Sequence, residues 1–573
     1  MKAEGVFLVA LVGLVSGQRP QVTLPDLGTM EGYFGESFIS NRSFYHFKGI
    51  PFAKPPIGNL RFQPPQPVEP WTGILDAHSN IGNECPQSFS VLNWQGALQS
   101  RADDDDLNKA KEPEDCLYIQ VYSPNIDPTA NLPVVVFIHG GAFFSGSSRI
   151  YGGNKFMDHD VVLVVPHYRL GPLGFLSLQT DEIPGNAGML DQVEALKWIQ
   201  KYISFFGGNP NQVTVMGESA GAVSASLLNV SPLSTNLFQQ YITQSGTALA
   251  SWGIDPDPVT AAIDVAFRAN CTNSEITALT QCLMTVEPSE LNAAYMEYLT
   301  AETRQGRSGI GGSAPVVQKA GSVRFLEKSP HEIFASGDYN GKPAIFGANK
   351  HEGTQPYFFL HTFYLAPRNL TEDVEFLSRG VTRLFLNFHG VGTDQGDTLA
   401  IATENTYYGV NNMGNLTLLW PGIIDFSSNM QIKGPTFGNA EFNIAKGAPT
   451  YLYSFHFDGS RSLYPITAPF SPIPGGVCHG NEMILQFSIP TFGTNTEDEV
   501  VSNQLLTLWA NFITYGDPTP VSSPVEGIPT WPRLESRDGS YLVINSTSSI
   551  LQDYTRVEYF VSINENFPNN IMN

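Results

Sequence analysis

Gln212-Val-Thr-Val-Met-Gly-Glu-Ser-Ala-Gly221 reads as a β-strand that runs straight into a Gly-x-Ser-x-Gly turn and then into a helix of small residues. Such a turn holds its central residue in a strained backbone conformation. It also presses strand against helix so closely that Gly217 and Gly221 leave no room for side chains. Ser219 is thereby expected to stand out of the sheet with its hydroxyl free to attack a carbonyl carbon, and this stretch decides the fold class. A strand feeding a helix through a nucleophile elbow belongs to an α/β protein with a parallel sheet.

Upstream, Leu132-Pro-Val-Val-Val-Phe-Ile-His139 is an apolar, β-branched run suited to a strand buried on both faces, and it ends in His139-Gly-Gly-Ala142. A Gly-rich loop after a central strand exposes backbone N–H groups, which acyl transfer needs where negative charge develops on the tetrahedral oxygen. The N–H groups of Gly141 and Ala142, joined by that of Ala220, are the expected oxyanion hole. A pair of glycines alone would mean only a tight turn. Its pairing with the elbow is what gives it chemical meaning.

Val161–Val165 is a further buried-strand candidate, and Asp191–Gln200 has helical spacing, with Val193, Leu196, Trp198 and Ile199 on one side. More strands are expected over Pro343–Gly347 and Tyr451–Phe455, so the sheet continues past a long middle region. The segments 250–340 and 355–445 are expected to supply helices over the carboxyl edge of the sheet, where ligands of doubly wound folds sit. No linker, repeat or heptad interrupts the 573 residues. The predicted organisation is one large domain over 18–573, a mostly parallel central sheet flanked by helices and carrying long insertions.

A serine hydroxyl needs a base, and histidine titrates near neutrality. Eleven histidines compete for the role. Chain order in an elbow fold is Ser, then Asp or Glu, then His, with the histidine on a loop after a late strand. His479, in Pro474-Gly-Gly-Val-Cys-His-Gly-Asn-Glu482, meets both conditions, whereas His389 lies in a helical stretch and His456 in a strand-like one. Glu352, in Ile345-Phe-Gly-Ala-Asn-Lys-His-Glu-Gly353, follows a candidate strand and is expected to accept the Nδ1 hydrogen of His479. Neither His351-Glu352 nor His331-Glu332 continues as His-Glu-x-x-His, so no metal is assigned.

The formal charge of −23 argues against nucleic acid or an anionic membrane surface as partner. Residues 1–17, with one early Lys and an apolar run from Val6 to Val15, read as a secretory signal peptide. The run is shorter than the roughly 20 apolar residues that span a bilayer. The expected product is exported, with no membrane span. Five cysteines suit that compartment; with one left over they allow fifteen assignments, five choices of the odd residue and three pairings of the rest. Nearest-neighbour pairing gives Cys85 with Cys116 and Cys271 with Cys282, leaving Cys478. Asn41, Asn270, Asn369, Asn415 and Asn545 stand in glycosylation sequons, as does Asn229, which follows the elbow helix closely and is expected to be buried.

Taken together, Phe47-Lys-Gly-Ile-Pro-Phe-Ala53, Glu114-Asp-Cys-Leu-Tyr118, His139-Gly-Gly-Ala-Phe143, Gly185-Asn-Ala-Gly-Met-Leu-Asp-Gln192, Phe206-Gly-Gly-Asn-Pro210, Gly217-Glu-Ser-Ala-Gly221, Gln244-Ser-Gly246, Asn349-Lys-His-Glu-Gly353 and Cys478-His-Gly480 resemble the type-B carboxylesterase and cholinesterase family of α/β-hydrolases. The resemblance covers nearly the whole chain after residue 17. It implies Ser219, Glu352 and His479 as catalytic triad, Gly141, Ala142 and Ala220 as oxyanion hole, the two disulfides above, and Trp252 as an aromatic of the acyl pocket. Ala142 stands where the family often has a third glycine, and its N–H is retained.

The Cys85 loop carries Trp94. At the spacing where cholinesterases place their choline-stacking Trp, this chain has the acidic run Asp103–Asp106 and Leu107, which gives no aromatic platform for a quaternary ammonium. Juvenile hormone esterases usually have Gln before the nucleophile, and Glu218 argues against that assignment. The reading is a secreted serine carboxylic-ester hydrolase that acts on small-molecule esters through an acyl-enzyme and needs no cofactor. A cholinesterase, or a non-catalytic cholinesterase-like adhesion protein, is the alternative.

Overall fold

The computed structural model describes residues 19–78, 82–87, 113–392, 396–468, 471–489 and 493–551. The expected signal peptide, Trp94 and the acidic run Asp103–Asp106 lie outside them. In chain order the strands are β1 (Gln21–Leu24), β2 (Gly28–Glu31), β3 (Tyr33–Glu36), β4 (Ser43–Pro51), β5 (Ile74–Asp76), β6 (Tyr118–Ser123), β7 (Leu132–Ile138), β8 (Val162–Pro166), β9 (Gly208–Glu218), β10 (Gln240–Gln244), β11 (Ala344–Asn349), β12 (Thr450–Phe455), β13 (Tyr541–Ile544) and β14 (Ser549–Leu551). Three of them, β1, β2 and β5, form a small separate sheet. The other eleven form one large sheet in the order β14-β13-β12-β11-β10-β9-β7-β8-β6-β4-β3. Within it β8, β7, β9, β10, β11, β12 and β13 run parallel, and antiparallel strands finish both edges.

Side-chain alternation explains why the central strands read as unbroken apolar runs. Val134, Val136 and Ile138 of β7 point into one hydrophobic layer, and Val135 and Phe137 point into the other. β8 divides in the same way, Val162 and Val164 against Leu163 and Val165. The first layer is closed by the helices Ala187–Tyr202 and Ala220–Val230, which contribute Met189, Val193, Leu196, Val223 and Leu227. The second is closed by the helix Thr496–Tyr515, through Leu505, Trp509 and Phe512, together with Val381–Phe388 and Leu416–Ser428. A sheet apolar on both faces has to be covered on both, and the alternation of strand and helix does that.

After β7 the chain crosses to β8 on one side, then returns to place β9 on the other side of β7. That reversal opens a crevice at the carboxyl ends of β7 and β9, the usual ligand position in an open α/β sheet. The insertion Pro258–Thr303 forms a third apolar cluster packed on Phe144 and Leu173. It contains the Cys271–Cys282 disulfide, with S–S 1.98 Å, while Cys85 joins Cys116 at 2.02 Å. Cys478 is free and buried. Asn41, Asn270, Asn369 and Asn415 are exposed and Asn545 is half-buried, whereas Asn229 is buried in the helix after the elbow.

Candidate active site

At the end of β9 the backbone turns through Ser219, whose φ of 56° and ψ of −123° are strained for a residue with a side chain. The turn is locked by close packing. A Cβ on Gly217 would lie 2.2 Å from the carbonyl carbon of Gly221, and one on Gly221 would lie 1.9 Å from the carbonyl oxygen of Ile138. Ser219 N–H donates to the Gln244 carbonyl at 2.8 Å, and the helix Ala220–Val230 starts at the next residue.

Three segments far apart in sequence meet over Ser219. Nδ1 of His479 lies 2.6 Å from Oε2 of Glu352, and Nε2 lies 2.8 Å from Oγ of Ser219. With a carboxylate facing Nδ1, the neutral ring carries its hydrogen there and Nε2 is left to accept the serine proton. Glu352 is fully enclosed and its second oxygen accepts from Ser245 Oγ at 2.5 Å and from Asn349 N–H at 2.6 Å. Burial pushes the Glu352 carboxyl up, but the His479 charge and these hydrogen bonds outweigh it and hold it below the ordinary carboxylate range. The loop carrying His479 is pinned to the Glu352 loop: Asn349 Nδ2 donates to the Cys478 carbonyl at 2.7 Å, and His351 N–H donates to the Val477 carbonyl at 2.9 Å.

Two further carboxyl groups surround the imidazole. Glu218 Oε1 is 3.4 Å from His479 Nε2, and Glu482, three residues after the histidine, is hydrogen-bonded by Asn349 Nδ2. Burial, with Glu352 nearby, raises Glu218 to about 7 against the lowering pull of His479. Burial, with Glu218 and Glu352 nearby, raises Glu482 to about 8. For His479 burial alone would depress the pKa; the negative field of Glu352 and Glu218 overcomes it and holds the ring above the ordinary histidine range. Neither Glu218 nor Glu482 is singled out as a site residue by sequence pattern. Their only signal is adjacency, one residue before the serine and three after the histidine.

Over the serine lies the loop His139–Gly146. Gly141 has φ 110°, and a Cβ there would sit 2.0 Å from the Ser145 carbonyl oxygen, so this position requires glycine. Its carbonyl accepts from the N–H groups of Phe144 and Ser145 at 3.1 and 3.0 Å, which closes the turn. Gln87 clamps the far end, accepting from Gly146 N–H at 2.8 Å and donating to its carbonyl at 2.9 Å. The Cys85–Cys116 bridge anchors that glutamine's segment. Among the described residues, the N–H groups of Gly141, Ala142 and Ala220 have no other hydrogen-bond acceptor.

Ser219, His479 and Ala142 open onto a cavity of about 140 Å³. Its walls come from the two segments 250–340 and 355–445: Leu299 and Ile310 from the first, Phe359, Phe388 and Ile432 from the second, with Phe144 from the glycine loop. Trp252 lines it too, its Nε1 donating to the Gln431 carbonyl at 3.0 Å.

A family model described as the carboxylesterase family matches residues 18–561. The chain belongs to this family. It is 32% identical over 577 residues to carboxylesterase 1E of Mus musculus, covering 96% of this chain and 95% of that protein. To the liver carboxylesterase of Sus scrofa it is also 32% identical, over 87% of this chain and 84% of that one. Among solved structures, juvenile hormone esterase from Manduca sexta with OTFP covalently attached has the same fold, at TM-score 0.80 and 24% identity, over 96% of this chain and all of that one. As a carboxylesterase the protein is a serine ester hydrolase, and small esters are its substrates.

The two histidines weighed against His479 in this carboxylesterase, His389 and His456, have structural partners. His389 is buried and bonds Ser427 Oγ at 3.1 Å; His456, one residue past β12, bonds Ser454 Oγ at 2.9 Å. Burial depresses His389 to about 3 and His456 to about 4, which suits neither to act as a base near neutrality. Among the described residues no cluster of metal-ligating side chains is present.

Proposed function

We propose that Ser219, Glu352 and His479 are the catalytic triad of this carboxylesterase and that the N–H groups of Gly141, Ala142 and Ala220 form its oxyanion hole. The unbroken hydrogen-bonded chain from Ser219 through His479 to Glu352, opening at its serine end on an apolar cavity, carries the proposal. Ser219 Oγ attacks the ester carbonyl as His479 Nε2 takes its proton, and the carbonyl oxygen becomes an oxyanion facing the three N–H groups. The tetrahedral species collapses, the ester C–O bond breaks, and the leaving alcohol takes the proton from His479. Water then repeats the sequence on the acyl-Ser219, releasing the carboxylic acid and restoring the serine. Glu352 remains ionised throughout and stabilises the imidazolium.

The cavity walls favour uncharged esters with apolar acyl or alcohol groups, Trp252 serving the acyl side. Exposure of Asn41, Asn270, Asn369 and Asn415 supports the reading of an exported glycoprotein whose residues 1–17 are a leader. The test is hydrolysis of a 4-nitrophenyl ester by Ser219→Ala, His479→Gln and Glu352→Gln. Ser219→Ala and His479→Gln are expected to lose roughly 10⁴-fold or more in kcat, and Glu352→Gln somewhat less. Retained turnover in Ser219→Ala would refute the proposal.

A further inference from the structure

The helix Leu416–Ser428 ends in a wider π-turn, Asn429–Lys433, a geometry common at functional sites. This helix end grips the loop that carries Glu352 on both sides of the glutamate. Lys433 Nζ donates to the Lys350 carbonyl at 2.7 Å, two residues before Glu352, and Ser428 Oγ accepts from Gly353 N–H at 2.8 Å, one residue after it. There is no slack between the elements, since a Cβ on Gly353 would lie 2.0 Å from the Ile424 carbonyl oxygen. Lys433 is itself buried, with 4% exposure, a costly place for an ammonium. Burial depresses it to about 8, while Glu352 and Asp425 pull it up and Lys350 pushes it down; His351 and His456 also feel its charge. The middle of the same π-turn faces the cavity, because Gln431 and Ile432 line it and Gln431 holds Trp252.

A buried lysine placed where an apolar residue would be cheaper needs a reason, and the hydrogen bond to the glutamate loop supplies one. We infer that Lys433 is a positioning residue for the reaction: with Ser428 it fixes Glu352 against His479 and ties that alignment to the wall of the substrate cavity. The inference rests on Glu352 being the carboxylate of the triad. Misplacing the glutamate by a fraction of an ångström would leave the ester bound but the imidazole misaligned in both acylation and deacylation.

The experiment measures kcat and KM for a small 4-nitrophenyl ester in Lys433→Met, Ser428→Ala, Glu352→Gln and the double variant Lys433→Met/Glu352→Gln, with thermal melting of each. Lys433→Met is expected to lower kcat by roughly ten- to a hundredfold while KM changes less than about threefold, and Ser428→Ala to lower kcat in the same sense. The double variant is expected to be no slower than Glu352→Gln alone, because a residue that acts through Glu352 has nothing left to position. Unchanged kcat in Lys433→Met, or a further loss in the double variant comparable to that of Lys433→Met alone, overturns the inference. If Lys433→Met does not fold, Ser428→Ala decides, and unchanged kcat there overturns it. Full turnover in Glu352→Gln would remove the triad reading and this one together. Loss in Glu352→Gln with full turnover in Lys433→Met removes this one only.

Discussion

Glu218 Oε1 lies 3.4 Å from Nε2 of His479, the same ring nitrogen that stands 2.8 Å from Ser219 Oγ. One carboxylate thus faces each side of the imidazole, Glu352 at Nδ1 and Glu218 at Nε2. Their negative field raises the His479 pKa, and only the unprotonated ring can take the serine proton. With His479 as the proposed base, activity is expected to require a higher pH than an ordinary histidine of pKa about 6.5 would set and to be lost as pH falls through the raised value. The near-neutral limb, near 6 to 7, that a solvent-exposed histidine would give is accordingly displaced upward. A profile of kcat/KM against pH checks this, and a midpoint at or below about 6.5 would contradict it.

Replacing Glu218 with Gln removes one of the two charges. The acid limb should move to lower pH. Plateau turnover should fall by roughly tenfold, because the imidazolium loses a neighbouring anion, a smaller loss than the 10²–10³ typical of deleting an oxyanion-hole donor. A limb that stays in place in Glu218→Gln would mean that this carboxyl is already neutral wherever His479 titrates.

Substitutions in the glycine loop should separate backbone geometry from side-chain content. Gly141→Ala forces a Cβ against the Ser145 carbonyl at a φ of 110°, and kcat should fall by roughly 10²–10³ with a smaller effect on KM. Ala142→Gly keeps the N–H and relaxes a φ of 50°, so its turnover should stay within about twofold of the parent. Equal losses in the two variants would count against the assigned oxyanion hole.

Cys478 adjoins the histidine yet takes no part in the proposed chemistry. Its thiol is buried, which pushes it up to about 12, and Sγ lies 3.7 Å from both Ser462 Oγ and Asn481 Oδ1. Cys478→Ser should remain active, and thiol reagents should inactivate the parent slowly. A hundredfold loss of turnover in folded Cys478→Ser would show that the sulfur matters.

Choline esters should have no advantage over neutral isosteres of the same acid. Apart from Glu218 and Glu352, which face the His479 ring, acidic and basic side chains are absent from the cavity lining, and the charge of −23 attracts cations only over roughly 8 Å at physiological salt. Comparing the two esters at low and high salt tests this. A choline preference that survives high salt would favour a cholinesterase.

The parts of this architecture that are legible in the sequence are those dictated locally. β7, β8 and β9 are readable because a strand buried on both faces must be apolar throughout, and the elbow because Gly217 and Gly221 have no substitute. Ser219, Glu352 and His479 can be singled out from chain order, and the structure brings them into one hydrogen-bonded chain. The short edge strands are not readable. β3, Tyr-Phe-Gly-Glu, buries none of its side chains and shows no apolar-polar alternation in its sequence, and it is held in place by pairing with β4. The site roles of Glu218 and Glu482 come only from β9 and the histidine loop converging on one imidazole, and that of Lys433 from the π-turn closing on the Glu352 loop. Ser428 and Lys433 sit some 80 residues from the loop they grip, a contact no periodicity announces.

The proposed activation of Ser219 by His479 and its carboxylate should show in the reactivity of the serine itself. The most direct measurement is peptide mass mapping after treatment with an organophosphate, on the parent and on His479→Gln. A single adduct on Ser219 is expected in the parent, with labelling slowed by orders of magnitude in His479→Gln. An adduct on another residue with Ser219 unmodified, or labelling of His479→Gln at the parental rate, would contradict it.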